Sequence, residues 1–311
     1  MDLFLKIGEG SLQLGLLYAL LALGVYITFR ILDFPDLTVD GSFTTGSAIT
    51  AVMIVHGYSP WLACLGAFAG GLAAGACTGL LHTKGKINGL LSGILMMIAL
   101  YSINLRILGS PNVSIFGNAM VFDHISPIAL MLIIVIVCKL LLDAFLRTDM
   151  GLALRATGDN KRMIRSLGAN TDTTTIIGVS LSNGLVALSG AFVAQTSTFA
   201  DATSGIGMIV IGLASVIIGE AIFGAKTVFR ATLAVILGSI VYRIVVTAAL
   251  RIEWFEASDL KLITAVIVII ALVFPAIRSK VKQKGLAKKR SAELLSNIQT
   301  APYSKPTGGE Q

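Results

Sequence analysis

From residue 10 to residue 277 the chain alternates long apolar runs with short polar breaks. The runs predict helices over 10–32, 39–55, 60–82, 89–107, 127–146, 174–194, 204–222, 228–250 and 259–277. Most have the roughly 20 residues that an α-helix needs to cross a bilayer. The second and seventh are short and glycine-rich, so the pattern leaves open whether they span or re-enter. Between the first two runs stands the stretch FPDLTVDG, residues 34–41. With Asp33 it holds three carboxylates, Asp33, Asp36 and Asp40, in an otherwise apolar region. Pro35 breaks a helix. Asp36, Thr38 and Asp40 are residue types that cap a new one. The pattern predicts an all-α polytopic membrane protein of about nine transmembrane or partly re-entrant helices.

Composition agrees. The 311 residues are 55% hydrophobic and 13% charged, with mean hydropathy +0.85. Ordinary soluble domains carry about 25% charge. The start lacks a small-residue cleavage site before a polar domain, so the first helix is expected to be retained. Cys64, Cys77 and Cys138 fall within apolar runs without paired spacing and are expected to pack. Charge is uneven. Residues 278–311 hold eight Lys/Arg against two Glu, and so account for +6 of the net +7. Basic residues also fill the breaks at Lys84/Lys86, 147–165 and Lys226/Arg230, while those at 56–59, 109–126 and 195–203 have none. Nine alternating spans put every basic break on one side. The positive-inside rule then predicts N-terminus out and C-terminus in, with a basic cytoplasmic tail against anionic membrane lipid. No folded basic domain follows, so nucleic acid is not an expected partner.

A shift of 165 residues superposes LLYALLAL (16–23) on LSNGLVAL (181–188) and FPDLT (34–38) on FADAT (199–203). One inserted residue brings Gly41, Gly46 and Ala48 onto Gly207, Gly212 and Ala214. Spans one to four match spans six to nine. An offset of five spans inverts the second copy, a device of transporters. The domain reading is a transmembrane body, 1–277. Its repeat halves are 10–107 and 174–277, joined by a linking helix, 127–146, and a cytoplasmic loop, 147–173. The tail, 278–311, follows.

Catalytic chemistry is not expected. Gly219–Thr227 (GEAIFGAKT) approaches a phosphate loop, but Ala225 separates Gly224 from Lys226–Thr227. His56, His82 and His124 are scattered near span ends, and no metal site is predicted. The loop GLALRATGDNKRMIRSLGAN, 151–170, says more. Asp159 is placed to cap a short helix over 161–167 that ends at Gly168. Its basic Lys161, Arg162 and Arg165 lie beside Met163, Ile164 and Leu167, which suits docking to a partner, while composition alone favours an ordinary basic inside loop.

This loop, with the small-residue run NGLVALSG (183–190), resembles the permeases of branched-chain amino acid and ribose ABC importers over roughly residues 10–274. FPDLTVDGSF, SGILMMIALYSINLRILGSPN (92–112) and GLASVIIGE (212–220) are similar to the bacterial tryptophan/tyrosine transport permease subfamily. The resemblance implies an importer permease in the bacterial plasma membrane, its cargo a small solute such as an aromatic amino acid. It implies a second permease copy, a cytoplasmic ATPase that binds ATP and Mg, and an extracytoplasmic substrate-binding lipoprotein; this chain would hold no cofactor and hydrolyse nothing. It implies an ATPase-coupling helix at 159–168, involving Arg155, Asp159, Lys161, Arg162, Arg165, Leu167 and Gly168. RSLG (165–168) keeps the glycine of the EAA loop of other importers but not its Glu-Ala-Ala. The alternative class is a stand-alone secondary transporter, which inverted repeats and intramembrane acids also allow.

Polar residues inside apolar runs are costly and therefore candidate pathway residues. They are Asp36, Thr38 and Asp40, Tyr101, Asn104 and Arg106 in the fourth span, and Asp201 and Thr203 in the repeat. Asp33 and Asp36 are candidate partners for Arg30. Arg243 is expected to need a buried partner, with Glu220 or a repeat aspartate as candidates. Gly66/Gly70 and Gly71/Gly75/Gly79, four apart, predict close helix contacts whose partner helix is open.

Overall fold

The computed structural model describes residues 2–123 and 125–249, together with Leu262, Ala265, Val266 and Ile269. His124, the rest of the ninth predicted span and the basic tail lie outside the described residues. The helical bundle lies within one compact unit, residues 1–268.

Ten α-helices and one strand pair are described. They are α1 (Asp2–Val25), α2 (Thr38–Val55), α3 (Pro60–Thr83), α4 (Gly89–Leu108), α5 (Pro127–Phe145), α6 (Asp149–Asp159), α7 (Lys161–Ser166), α8 (Thr171–Ser197), α9 (Met208–Phe223) and α10 (Val228–Ala249). The strands, β1 (Asn112–Ser114) and β2 (Phe199–Asp201), pair antiparallel with Val113 opposite Ala200. They occupy two breaks that the apolar pattern leaves as loops. Eight of the nine predicted runs therefore correspond to described helices. Among the described residues six helices are long and apolar enough to cross a membrane: Gly8–Ile31, which is α1 with its extension, and α3, α4, α5, α8 and α10. α9 is shorter. With α2 it is one of the two runs that the sequence singles out as short.

The bundle has two ends. α6, α7, the end of α3 and the start of α10 mark the α7 end. The strand pair and the ends of α2, α4 and α8 mark the hairpin end. α1 continues into a π-helix, Tyr26–Ile31, where the Leu32 N–H donates to the carbonyl of Ile27, five residues back (3.0 Å). Asp33 then takes a left-handed conformation, φ 50°, a strain that aspartate tolerates better than most residues.

α1 is the axis of the core, with Leu17, Ala19, Leu20, Leu21 and Leu23 fully buried. α8 runs antiparallel beside it: the Ser182 hydroxyl donates to the Gly24 carbonyl and that of Ser189 to the Leu17 carbonyl (2.6 and 2.7 Å). The α3 glycines find their partners within the chain. A Cβ on Gly71, Gly75 or Gly79 would lie within 2.8 Å of α8 atoms. One on Gly66 or Gly70 would strike Met53 or Ile49 of α2. Backbones that approach so closely replace side-chain packing with direct helix contact.

An ion pair that sequence reasoning passed over lies in α5. Lys139 and Asp143, one turn apart, are both buried and bonded to each other. The Asp143 carboxylate also accepts the Thr232 hydroxyl of α10 (2.8 Å), and the Lys139 ammonium sits 3.5 Å from the centre of the Phe229 ring. Opposite charges four apart inside an apolar run were the available signal.

Candidate translocation cavity and coupling end

The FPDLTVDG stretch leads into the start of α2, with Phe34, Asp36, Thr38 and Asp40 buried and Pro35 exposed. Asp36 is buried and makes an Asx turn, its Oδ1 accepting the Thr38 N–H (2.9 Å). Its Oδ2 accepts Nδ2–H of Asn183 in α8 (2.7 Å), and the Asn183 Oδ1 accepts the Ser42 hydroxyl (2.7 Å). The Thr38 hydroxyl meets that of Thr78 in α3 (2.8 Å). Asp36 and Thr38 thus clamp α2 to α3 and α8. Neither Asp33 nor Asp36 pairs with Arg30. Arg30 bonds Glu220 of α9 instead (3.0 Å), because the π-helical turn carries it toward the start of that helix's last turn.

Asp40 behaves differently. Its two oxygens reach across the fold to the start of α9, accepting the Gly207 N–H and the Ile209 N–H, each at 2.8 Å. The Gly205 N–H donates to the Thr44 hydroxyl (3.0 Å). A helix beginning inside apolar surroundings leaves its first amides without partners. Here a carboxylate of another helix supplies them and lies at the positive end of the α9 dipole.

Beside this junction a cavity of about 290 Å³ is lined by Asp40, Gly41, Thr44, Met97, Ile98, Tyr101, Asn104, Ala202 and Ile206. Of the pathway residues picked from sequence it gathers Asp40, Tyr101 and Asn104. It does not gather Arg106, which is exposed on another face of α4, or Asp36 and Thr38. Asp201 and Thr203 flank the stretch that lines it. Asp201 repeats the Asx turn, its Oδ1 accepting the Thr203 N–H (2.6 Å) and the Thr203 hydroxyl. Asn104 is fully buried. Its Nδ2–H donates to the Gly41 carbonyl (3.2 Å), while its Oδ1 has no hydrogen-bond partner among the described residues. Tyr101, Ile98 and Ile206 are about half exposed, so the cavity opens on the outside of the chain.

Among the described residues Arg243 of α10 pairs with neither Glu220 nor an aspartate. Its guanidinium lies 5.4 Å from the centre of the Tyr18 ring, and its Nε has no hydrogen-bond partner among the described residues. Glu220 is engaged by Arg30, and the ring face takes the place of a carboxylate.

At the α7 end two helices form where one was expected. Asp159 ends α6, and the cap of α7 is Asn160, whose Oδ1 accepts the Met163 N–H (3.0 Å). The correction is one residue: Asp159 still has helical company, and only Asn160 takes the extended backbone of a cap. α6 packs down on the bundle, and a Cβ on Gly158 would strike the Ile31 carbonyl oxygen. Arg155 and Asp159 line a charged cavity of about 360 Å³ with Tyr26, Arg30, Glu220 and Lys226. α7 buries nothing. Lys161, Arg162, Arg165, Met163 and Leu167 are all exposed, Leu167 at 72%. Gly168, φ 87°, turns the chain back. Arg165 bonds Asp172 (3.0 Å) and the Thr171 hydroxyl (2.7 Å), which ties α7 to the first turn of α8.

Comparison with known proteins places these features. The tyrosine transport system permease protein of Clostridioides difficile is 46% identical over 284 residues, 91% of this chain and 94% of that one. The galactofuranose transporter permease protein YtfT of Escherichia coli is 28% identical over 54% of this chain and 50% of that one. A solved structure described as an inward-facing conformation of a metal-chelate type ABC transporter has a TM-score of 0.51 at 16% identity, covering 87% of this chain and 84% of that one; the likeness is one of fold. Residues 9–273 match the family described as branched-chain amino acid transport system, permease component. The chain is the permease of an ABC transporter and a multi-pass plasma-membrane protein. With its apolar bundle, its buried helix starts and most of its length within the match, it belongs to the branched-chain amino acid transport system permease component family.

Proposed function

We propose that the chain is the pathway-forming half of an amino-acid importer, with aromatic amino acids as cargo. The tyrosine permease relative supports the cargo class. Two copies face each other across the open side of the α2–α4 cavity, where Ile98, Tyr101 and Ile206 are exposed. The N-terminus lies outside. The α7 end lies in the cytoplasm, where the basic breaks gather. A cytoplasmic ATPase binds ATP and Mg and seats α7. An extracytoplasmic binding protein loads the hairpin end. The twin Asx turns at Asp36 and Asp201 support reading 10–107 and 174–277 as inverted halves that alternate access around α1 and α8.

The observation that carries this reading is α7 itself. A helix with no buried residue, three exposed cations and two exposed large apolar side chains is a poor fit to free solvent and a good fit to a groove on a partner. α6 braces it against the π-helix at Ile31. Displacement of α7 is thereby transmitted to the end of α1. Replacement of Lys161, Arg162 and Arg165 by alanine is expected to abolish co-purification of the ATPase and ATP-driven L-tyrosine uptake in proteoliposomes. Because α7 is exposed, the melting temperature should stay within a degree or two. Uptake that persists without any ATPase would overturn the proposal in favour of a secondary transporter.

A further inference from the structure

The wall of the α2–α4 cavity carries two side-chain acceptors, the Asp40 carboxylate and the Asn104 amide oxygen. Asp40 is 8% exposed, and none of the ion pairs among the described residues includes it. A carboxylate offers about four lone-pair sites. Asp40 turns most of them to the start of α9, to the amides of Gly207 and Ile209 and, beside these, Met208, which leaves one site toward the cavity. The Asn104 Oδ1 is the second acceptor, 0% exposed and without a partner among the described residues. Such an orphan is costly if nothing ever fills it. The Thr44 hydroxyl cannot answer either of them, since it donates to the Asp40 carbonyl (3.3 Å) and accepts from Gly205. The rest of the lining is Met97, Ile98, Ala202 and Ile206, with the Tyr101 ring beside them.

We infer that this cavity binds the primary ammonium group of the cargo, held between the Asp40 carboxylate and the Asn104 side-chain oxygen, with the apolar or aromatic body of the cargo against Met97, Ile98, Ile206 and Tyr101. An ammonium brings three donors and a positive charge, which is what a carboxylate and an orphan carbonyl oxygen lack. A divalent metal ion fits poorly, because Ca²⁺ or Mg²⁺ asks for six or more oxygens and most of this wall is carbon. The volume, about 290 Å³, is at the small end of ligand sites. Asp40 then has two tasks at one place. It caps α9 and is the counter-charge for the cargo, so arrival of an ammonium alters the acceptor on which the start of α9 rests.

The inference rests on reading the cavity as part of the pathway. It is tested on the full chain in lipid nanodiscs by saturation-transfer NMR, which detects millimolar binding. The probes are L-tyrosine, tyramine and 3-(4-hydroxyphenyl)propionate. L-Tyrosine and tyramine should bind and compete, and the deaminated acid should not. Asn104→Leu should weaken L-tyrosine binding about tenfold or more, the loss of one hydrogen bond to a charged group. Asn104→Asp, which keeps the acceptor but gives up the bond to the Gly41 carbonyl, should bind more tightly than Asn104→Leu. Asp40→Asn should bind more weakly than Asn104→Leu; should it fail to fold, the Asn104 pair decides. No saturation transfer to L-tyrosine, equal competition by the deaminated acid, or wild-type binding by Asn104→Leu would each overturn the assignment. Uptake by the importer complete with ATPase and binding protein separates the two levels. If that importer carries amino acids while the ammonium proves irrelevant to the nanodisc-bound chain, only the present inference fails. If it carries none, the proposed function fails with it.

Discussion

Two helix starts in this protein share a local sequence and differ in almost everything else. FPDLT opens α2 and FADAT leads into α9. In both, the aspartate accepts the N–H of the threonine two residues on, at 2.9 Å for Asp36 and 2.6 Å for Asp201. Asp36, however, is buried and also holds Asn183 of α8. Asp201 is the last residue of β2, opposite Asn112 at the hairpin end, and its second bond goes to the nearby Thr203 hydroxyl. After the first turn α2 begins at once, whereas the second copy runs through further turns to Gly207, φ 90°, before α9 begins. The Asx turn is local chemistry and forms wherever D-x-T occurs in a break. Whether it becomes an anchor depends on what the rest of the fold brings to the free oxygen.

The largest test of that difference is removal of each carboxylate. Asp36→Ala would leave the buried Thr38 N–H without an acceptor and the Asn183 amide with the Val179 carbonyl alone (2.9 Å), each loss worth about 1–3 kcal/mol. A loss of about 3 kcal/mol is expected. Asp201→Ala loses a turn bond near solvent and should cost about 0.5 kcal/mol. Unfolding of the protein in detergent, followed by thermal melting or denaturant, measures both. Equal losses would mean that the turn itself, and not the Asn183 contact, carries the effect.

Asp40 joins the two starts, and its removal should fall next in size. Asp40→Ala uncaps α9 from a distance and should cost about 2 kcal/mol, at the upper end for a lost cap. The loss has an address. Amide hydrogen exchange should quicken at Gly207 and Ile209 and stay unchanged across the Asp36–Asn183 clamp. If exchange rises equally at Thr38 and Asn183, the two starts are one cooperative unit and the contrast between them dissolves.

Much of this architecture was legible along the chain. Runs of about 20 apolar residues predict the long helices because a bilayer selects for length, and glycines every four residues in α3 predict its close contact. The short second and seventh runs were legible as well, since their polar ends are printed in D-x-T and in glycine. What was not legible depends on which distant groups meet. Asp40 and Gly207 stand 167 positions apart, and the chain between them carries no local mark of their bond. Arg30 finds Glu220 because a π-helical segment displaces it, and apolar periodicity does not report a π-turn. Arg243 finds the Tyr18 ring, a partner type that a search for carboxylates overlooks. Lys139 and Asp143 were visible at one-turn spacing, but a run so apolar reads as lipid-facing until α10 is seen to cover it. The coupling end shows the finer limit. That a short basic helix follows residue 159 was readable, while the choice between Asp159 and Asn160 as its cap turns on one residue's backbone angles.

The proline difference between the two starts offers the smallest and most specific tests. At Pro35 the fixed φ leads the exposed chain into the Asx turn. The matching residue, Ala200, is buried in β2 opposite Val113. Bonds from Ile115 to Thr198 and from Ala202 to Pro111 flank that pair two residues to either side. By the alternation of antiparallel ladders, Ala200 therefore donates its own N–H to the neighbouring strand. Ala200→Pro would remove that donor from the ladder and should cost about 1–2 kcal/mol. Pro35→Ala is milder. Its side chain touches solvent, the Asp36–Thr38 bond still closes the turn, and the change mainly frees the unfolded chain. A loss of about 0.5 kcal/mol is expected, within the range for such substitutions. The two swaps should be unequal, since in one start a rigid residue sets the entry and in the other a strand partner does. If Pro35→Ala proved as damaging as Ala200→Pro, the α2 start would depend on its proline and not on Asp36. The buried clamp to Asn183 would then be a consequence of the turn and not its cause.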